Sequence, residues 1–265
     1  MPTIAESRFW PLLLDRYYRS PSIAMCRIPE VELFSRISLG FPVLDHCGGD
    51  GYIAALAFPG CKLDACVDID AARLEVARCS GRYAAVKWGD VGKRLPFEDR
   101  QFTTVINNSG IEHVPDLRTA LGEIHRVLKG GGKLYLNVLN SRFFDNWPFD
   151  RESLAAYRDW QPFYHALNEA EWRARLQEAG FCRVSFIDYF PPEVGRILAD
   201  LDFRYSRMYL KRRFTLTTLL ESLGPKPQLT RRWDRRLGGL RWDARPGEGV
   251  GFTVSAERPD ELVDP

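Results

Sequence analysis

A chain of 265 residues with 45% hydrophobic composition can bury a substantial core, which favours one large domain with a modest appendage over two equal domains. Its net charge of +2 is unevenly laid out: twelve Lys/Arg stand against three Asp/Glu between Arg204 and Gly247, so the remainder is net acidic. Composition also argues against several classes, because no run of eighteen apolar residues occurs, the first residues do not read as a secretory signal, and the six cysteines show no zinc-ligand spacing. No metal site is expected, and the cysteines read as reduced thiols in a cytoplasm.

In chain order, Ile4–Tyr18 and Glu30–Ile37 read as two short helices, with Pro21 and Pro29 as breaks. From Pro42 to Asn140 apolar runs alternate with helical patterns, the sequence form of a doubly wound parallel sheet. The expected strands are Val43–His46, Leu63–Asp68, Ala84–Trp88, Thr103–Asn107 and Lys133–Val138. Helices are expected at Tyr52–Phe58, Ala71–Cys79 and Leu117–Leu128, the last stopped by Gly130-Gly131-Gly132. A helix at Glu169–Ala179 and strands at Phe181–Tyr189 and Gly249–Ala256 complete the pattern. Between those last strands Pro191–Gly247 reads as a basic helical insert, with Val194, Ile197, Leu198, Leu201, Tyr205 and Met208 on one face.

Open α/β sheets bind ligands at the carboxyl ends of their strands, and the informative residues fall there. The first strand ends in Asp45 and the turn Gly48-Gly49-Asp50-Gly51. Asp68 ends the second, where a carboxylate can accept from both hydroxyls of a ribose. Asp90 follows the third and suits an exocyclic amine; Asn107, Asn108 and Ser109 follow the fourth, as polar groups exposed where the sheet opens. A turn built for pyrophosphate offers N–H groups to an anion, and a carboxylate inside it opposes that. Asp50 therefore points to a cationic ligand, and the sulfonium S-adenosylmethionine is inferred. An alternative stays open: Gly49-Asp50-Gly51-Tyr52-Ile53-Ala54 also fits Gly-x-Gly-x-x-Ala, as in a nicotinamide-dependent oxidoreductase. A non-catalytic cofactor-binding scaffold is a further one.

The motifs continue in order. Leu44-Asp45 with Gly49-x-Gly51, Val67-Asp68-Ile69-Asp70, Gly89-Asp90 with Leu95-Pro96-Phe97, and Ile111-Glu112-His113-Val114-Pro115-Asp116 are followed by Leu128-Lys129-Gly130-Gly131-Gly132 and Leu176-Gln177-Glu178-Ala179-Gly180-Phe181. In this the chain resembles the class I S-adenosylmethionine-dependent methyltransferases, particularly the type 11 group. The resemblance covers Pro42–Asn140 well and Glu169–Tyr189 and Gly249–Arg258 loosely. It implies an α/β, Rossmann-like, doubly wound seven-stranded sheet, mostly parallel, with the cofactor domain at 41–190 and 248–258; the N-terminal helices at 1–40 and the insert at 191–247, a candidate substrate cap, lie outside the resemblance and are read from the residue pattern. It also implies that Gly48, Gly49 and Gly51 line the cofactor, Asp45 orients its methionine end, Asp68 holds the ribose and Asp90 the adenine amine. Ile69, Val91, Asn107 and Asn108 complete that expected set. One departure stands out: the family usually has glycine where this chain has Cys47, which is expected to crowd the methionine part.

Methyl transfer from a sulfonium needs no metal, because the leaving group departs as a neutral thioether. Alignment is the principal demand, and an oxygen or carbon acceptor adds the need for a base. His113 and His165 are the candidate bases, each set against a bland alternative, a loop histidine bonded to the backbone and a helix entrance respectively. Asn107-Asn108-Ser109-Gly110 stands where amino-group methylation would favour an Asn-Pro-Pro-Tyr type motif, so oxygen or carbon acceptors are favoured. The aromatic residues Phe143, Phe144, Trp147, Phe149, Tyr157, Trp160, Phe163 and Tyr164 fit an acceptor pocket and simple packing equally well. The basic stretch, with Arg231-Arg232-Trp233-Asp234-Arg235-Arg236, fits a phosphorylated, nucleotide-linked or lipid-linked acceptor or an anionic surface, a solvated face being the default. No nucleic-acid module is visible.

Overall fold

The computed structural model describes residues 2–205 in full, 206–209 by their backbone, and 223–260. Met208 of the expected apolar face, and the basic residues Lys211, Arg212 and Arg213, lie outside the described side chains. Contacts divide the chain into two compact units. A helical unit gathers Met1–Leu33, Ser141–Pro162 and Asp188–Gly251, and a sheet unit gathers Phe34–Asn140, Phe163–Ile187 and Phe252–Pro265. Residues 1–33 of the N-terminal segment and the insert thus fall, together with 141–162, into the same unit, while 34–40 join the sheet unit.

The sheet has seven strands: β1 (Val43–His46), β2 (Leu63–Asp68), β3 (Tyr83–Trp88), β4 (Phe102–Asn108), β5 (Leu128–Leu139), β6 (Cys182–Tyr189) and β7 (Gly251–Glu257), in the order β3-β2-β1-β4-β5-β7-β6. Pairing is parallel from β3 through β5. The chain winds outward from β1 to β3 and then returns to β4 on the other side of β1, so strand order reverses between β1 and β4, where such sheets bind ligands. All four residues of β1 are buried, as expected of a central parallel strand covered on both faces.

The helices of the described residues are α1 (Trp10–Arg16), α2 (Pro21–Phe34), α3 (Tyr52–Ala57), α4 (Ala71–Cys79), α5 (Leu117–Val127), α6 (Ser141–Asp145), α7 (Arg151–Trp160), α8 (Glu169–Glu178), α9 (Pro192–Tyr209) and α10 (Lys226–Leu237). Asp116 caps α5 by accepting from the Thr119 N–H, and Asn168 caps α8 in a reciprocal box with Glu171. Buried Leu117, Ala120, Leu121, Ile124 and Val127 of α5 pack with Leu44, Val67, Val105 and Leu136 of the sheet, and with Trp172 and Leu176 of α8, as one core.

Two expectations need correcting. Pro21 opens α2 and Pro29 lies inside it, where breaks were expected. Proline suits a first turn, and although Pro29 forfeits one helical hydrogen bond, Ala24, Met25, Ile28, Val31, Leu33 and Phe34 are buried, so packing holds the helix. Gly130-Gly131-Gly132 does not stop α5, which already ends at Val127, but belongs to β5. Gly131, at φ +68, donates its N–H to the Arg258 carbonyl (2.9 Å), and Gly132 accepts from Arg258 (2.9 Å).

In the helical unit the backbone of Ile4 and Ala5 donates to Leu240 and Gly238 (2.8 and 2.9 Å), which ties the N-terminus to the end of the insert. Six of the eight expected cluster aromatics are here. Trp147 packs on Tyr157, Phe149 and Phe143, and Trp160 stacks on Phe203 of α9. Phe163 and Tyr164 belong to the sheet unit instead, because the chain passes between units at Pro162.

Candidate active site

The first strand end is braced from beneath. Asp45 is 4% exposed and accepts a 2.6 Å hydrogen bond from the Tyr83 hydroxyl, which reaches it across β2 from the edge strand β3. Burial pushes the Asp45 carboxyl up to about 7, opposed by the Tyr83 bond and reinforced by Asp68 and Asp50. The glycine turn lies directly over this pair. A Cβ at Gly48 would sit 2.6 Å from the Asp45 carboxyl carbon, and one at Gly51, whose φ is +74, 2.7 Å from the Tyr83 ring. Glycine here is thus demanded from below by Asp45 and Tyr83. Asp50 turns its carboxylate back on the chain and accepts from the Tyr52 N–H (3.0 Å), a local Asx turn at the start of α3.

Cys47 has a left-handed backbone, φ +59, which costs a side-chain-bearing residue roughly 1–2 kcal/mol. Across from it stands Gly110, where a Cβ would lie 2.5 Å from the Cys47 Cβ. The departure from the family's glycine is matched by a glycine on the facing loop. Burial raises the Cys47 thiol well above its ordinary range, so it stays a neutral side chain.

At the second strand end Asp68 is partly exposed and accepts backbone N–H groups on both oxygens, from Gly49 (2.9 Å) and Asp70 (2.8 Å). Two further lone-pair sites of a carboxylate stay available to a ligand. Beside it Ile69 is 59% exposed and Trp88 is 58% exposed, with the Trp88 indole N–H donating to the Ile69 carbonyl (2.9 Å). Asp90 accepts from the Gly92 N–H (3.0 Å) and lies 3.3 Å from the Lys93 ammonium, while Val91 is buried.

The fourth strand end departs from expectation. Asn107 is fully buried, and its bonds stay within the protein. Its Oδ1 accepts from Gly110 and Ile111 (3.3 and 3.1 Å), so its Nδ2 donates to the His46 carbonyl (3.0 Å) and to His46 Nδ1 (2.8 Å). That orientation leaves the His46 proton on Nε2, and burial lowers this imidazole to about 4, so it is neutral. Asn107 is hence a strut between β1 and the next loop. Asn108 accepts from Asn137 (2.8 Å).

Both candidate histidines come together beyond β4. Ile111–His113 forms a short 3₁₀ turn, and the Glu112 carbonyl accepts the Tyr164 and His165 N–H groups (3.0 and 3.3 Å). His113 is half-buried with its ring 4.5 Å from that of Phe163. His165 Nε2 donates to the carbonyls of Val114 and Pro115 (2.9 and 3.2 Å), which ties up that nitrogen. Tyr83, Trp88 and Gly110 join the candidate site through Asp45, Ile69 and Cys47, and sequence reasoning gave them no place in it. Tyr83 is 38 residues from Asp45 and has no local signal; the Cys47 departure could have pointed to Gly110.

Comparison with known proteins decides the family. A methyltransferase domain family matches residues 44–136. The ubiquinone/menaquinone biosynthesis C-methyltransferase UbiE of Rhizobium meliloti is 32% identical over 201 residues, spanning 66% of this chain and 75% of that protein. The chain belongs to the S-adenosylmethionine-dependent methyltransferases. Among solved structures, a SAM-dependent methyltransferase of Thermotoga maritima superposes with a TM-score of 0.61 at 16% identity, covering 94% of this chain and 97% of that one. The phosphoethanolamine N-methyltransferase 2 of Haemonchus contortus, solved with S-adenosyl-L-methionine, gives 0.57 at 19% identity over 89% of this chain and 52% of that one. These two share its fold. Membership overturns the nicotinamide alternative, for S-adenosylmethionine is this methyltransferase's cofactor. Its own residues fit the group: a carboxylate with lone pairs to spare at Asp68, an open apolar side chain beside it at Ile69, and a turn kept free of side chains at Gly48 and Gly51.

Proposed function

We propose that this methyltransferase modifies a carbon or oxygen atom of a small or conjugated acceptor carrying an anionic or lipid group. Asp68 would hold the ribose hydroxyls, Asp90 the adenine amine, and Ile69 and Val91 the faces of the base. Gly48, Gly49 and Gly51 would line the cofactor, while Asp45 would act on it from below by fixing the turn. Asn107 would set the β1 and β4 loops through His46, and Asn108 would close the same edge. When bound, the cofactor supplies an activated methyl group, so the protein has chiefly to orient and to handle one proton.

His113 is the better placed base. Its ring packs on Phe163 in the loop that follows β4, whereas His165 spends Nε2 on two carbonyls and would hold that loop in shape. The observation that carries the acceptor reading is the closed fourth strand end, since Asn107 is consumed inside the protein and offers no amide to an incoming amine. The C-methyltransferase name of the Rhizobium meliloti relative favours carbon. Acceptor selection is assigned to the helical unit, including 191–247 as the substrate cap, because the family match at 44–136 leaves it out. Six free thiols suit a reducing compartment, and we place the enzyme in the cytoplasm.

The test is turnover with isotope-labelled S-adenosylmethionine against a panel of hydroxylated rings, amines and phosphorylated or prenylated conjugates, with the product bond assigned by NMR. A new C–methyl or O–methyl bond is the expected product. Methylation confined to amine acceptors would contradict the reading.

A further inference from the structure

Helix α10 buries Leu229, Trp233 and Leu237, one turn apart on one seam. On a helix of 3.6 residues per turn this places Arg231 and Arg235 on the opposite side and Arg232 and Arg236 on one flank, and all four are exposed. The lone acid of the helix, Asp234, is turned to the other flank, where it accepts from the Trp10 indole of α1 (2.8 Å). Lys226 pairs with Asp15 of α1 at 2.6 Å, so the two helices are stitched together. Among the described residues no carboxylate lies within ion-pair distance of Arg231 or Arg235; the Arg235 Nε instead donates to the Arg231 carbonyl (3.3 Å). Like charges one turn apart weaken a helix unless an anion meets them.

The neighbouring α1 adds apolar and aromatic surface. Leu12 is half-exposed, and just beyond the helix the guanidiniums of Arg16 and Arg19 lie over the partly exposed rings of Tyr17 and Tyr18 at 5.7 and 5.3 Å, while Arg8 covers the buried Phe9 at 4.7 Å. Cations over partly exposed tyrosine rings beside a half-exposed leucine are the composition of a water–lipid boundary. A single-stranded nucleic acid would want open rings on which bases stack, yet Trp233, the aromatic residue of α10, is buried under Arg236. No helix among the described residues is long and apolar enough to cross a membrane, so contact would be peripheral. The surplus of basic residues between Arg204 and Gly247, against a net acidic remainder, would turn this part of the chain toward negative charge.

We propose that α1 and α10 form a docking surface for an anionic phospholipid bilayer, with the arginines on headgroup phosphates and Leu12 at the acyl boundary. This stands apart from the choice of acceptor and holds whichever atom is methylated.

Co-sedimentation of the full chain with phosphatidylcholine vesicles, with and without phosphatidylglycerol, tests it. The protein should pellet with the anionic vesicles, remain in the supernatant with neutral ones, and be released by salt. The double reversal Arg231→Glu/Arg235→Glu should lower the partition coefficient by roughly tenfold or more, while S-adenosylhomocysteine affinity and melting temperature stay unchanged. Three results would overturn the proposal: wild-type protein that ignores anionic vesicles, a double variant that binds them as well as wild type, or retention on an RNA oligonucleotide in preference to vesicles.

Discussion

The two units of this protein encode their roles differently. In the sheet unit a residue's place in the chain fixes its place in the candidate site, because each of these strands delivers its last residues to the same edge: Asp45 and the glycine turn from β1, Asp68 from β2, Asp90 after β3, Asn107 and Asn108 from β4. Both units gather three stretches of chain, but in the helical unit the surfaces arise only where stretches distant in sequence meet. Trp10 finds Asp234 and Trp233 finds the Tyr18 carbonyl across more than two hundred residues. Cofactor chemistry is therefore proposed where topology dictates position, and recognition of what is specific to this enzyme is assigned to the part where it does not.

Variants of the sheet unit can break that contrast, and the largest expected effect lies beneath the turn. Asp45 rises from its usual value near 4 to about 7 on folding. The folded protein thus keeps a proton that the unfolded chain loses as pH rises from about 4 to about 7, and stability declines across that window by on the order of 4 kcal/mol at most. Asp45→Asn, neutral at every pH, should flatten the decline; urea melts at several pH values would show it, and an unchanged slope would remove Asp45 as its source. Next comes His113→Ala, expected to cut turnover by roughly tenfold or more with S-adenosylhomocysteine affinity intact. Unchanged turnover would dismiss this residue as the base.

Gly110→Ala drives a Cβ against Cys47 and should cost about 1–3 kcal/mol. The same change in a Cys47→Gly background should cost much less, so the double-mutant cycle reads the pairing of the two positions directly. Additive costs would mean that the facing glycine does not compensate for the cysteine. Tyr83→Phe strips a buried carboxyl of its donor and should cost about 1–2 kcal/mol in denaturant melts. It should also weaken cofactor binding modestly through the loosened turn.

Most of the sheet was legible because buried parallel strands are short apolar runs, and β1, β2 and α4 begin and end where expected. What escaped was set by contacts distant in sequence. Nothing near Pro29 tells that α2 is buried almost all round and so survives it, and Gly130-Gly131-Gly132 looks like a helix stop until Arg258 is seen pairing with it. Asn107 sits where a ligand-facing amide was expected, yet His46, an unremarked neighbour on β1, claims it. The aromatic run split at Pro162 because residues adjacent in sequence joined different units.

The measurement that bears most directly on the central claim is a calorimetric titration of wild-type protein and Asp68→Ala with S-adenosylhomocysteine. Asp68 is held by Gly49 and Asp70 and is proposed as the ribose anchor, so the variant should lose two charge-assisted hydrogen bonds to the cofactor and with them roughly 100-fold or more in affinity, while it stays folded with a melting temperature lowered by the two backbone bonds that Gly49 and Asp70 give up. Wild-type affinity in a folded Asp68→Ala protein would contradict the assignment of the cofactor to these strand ends.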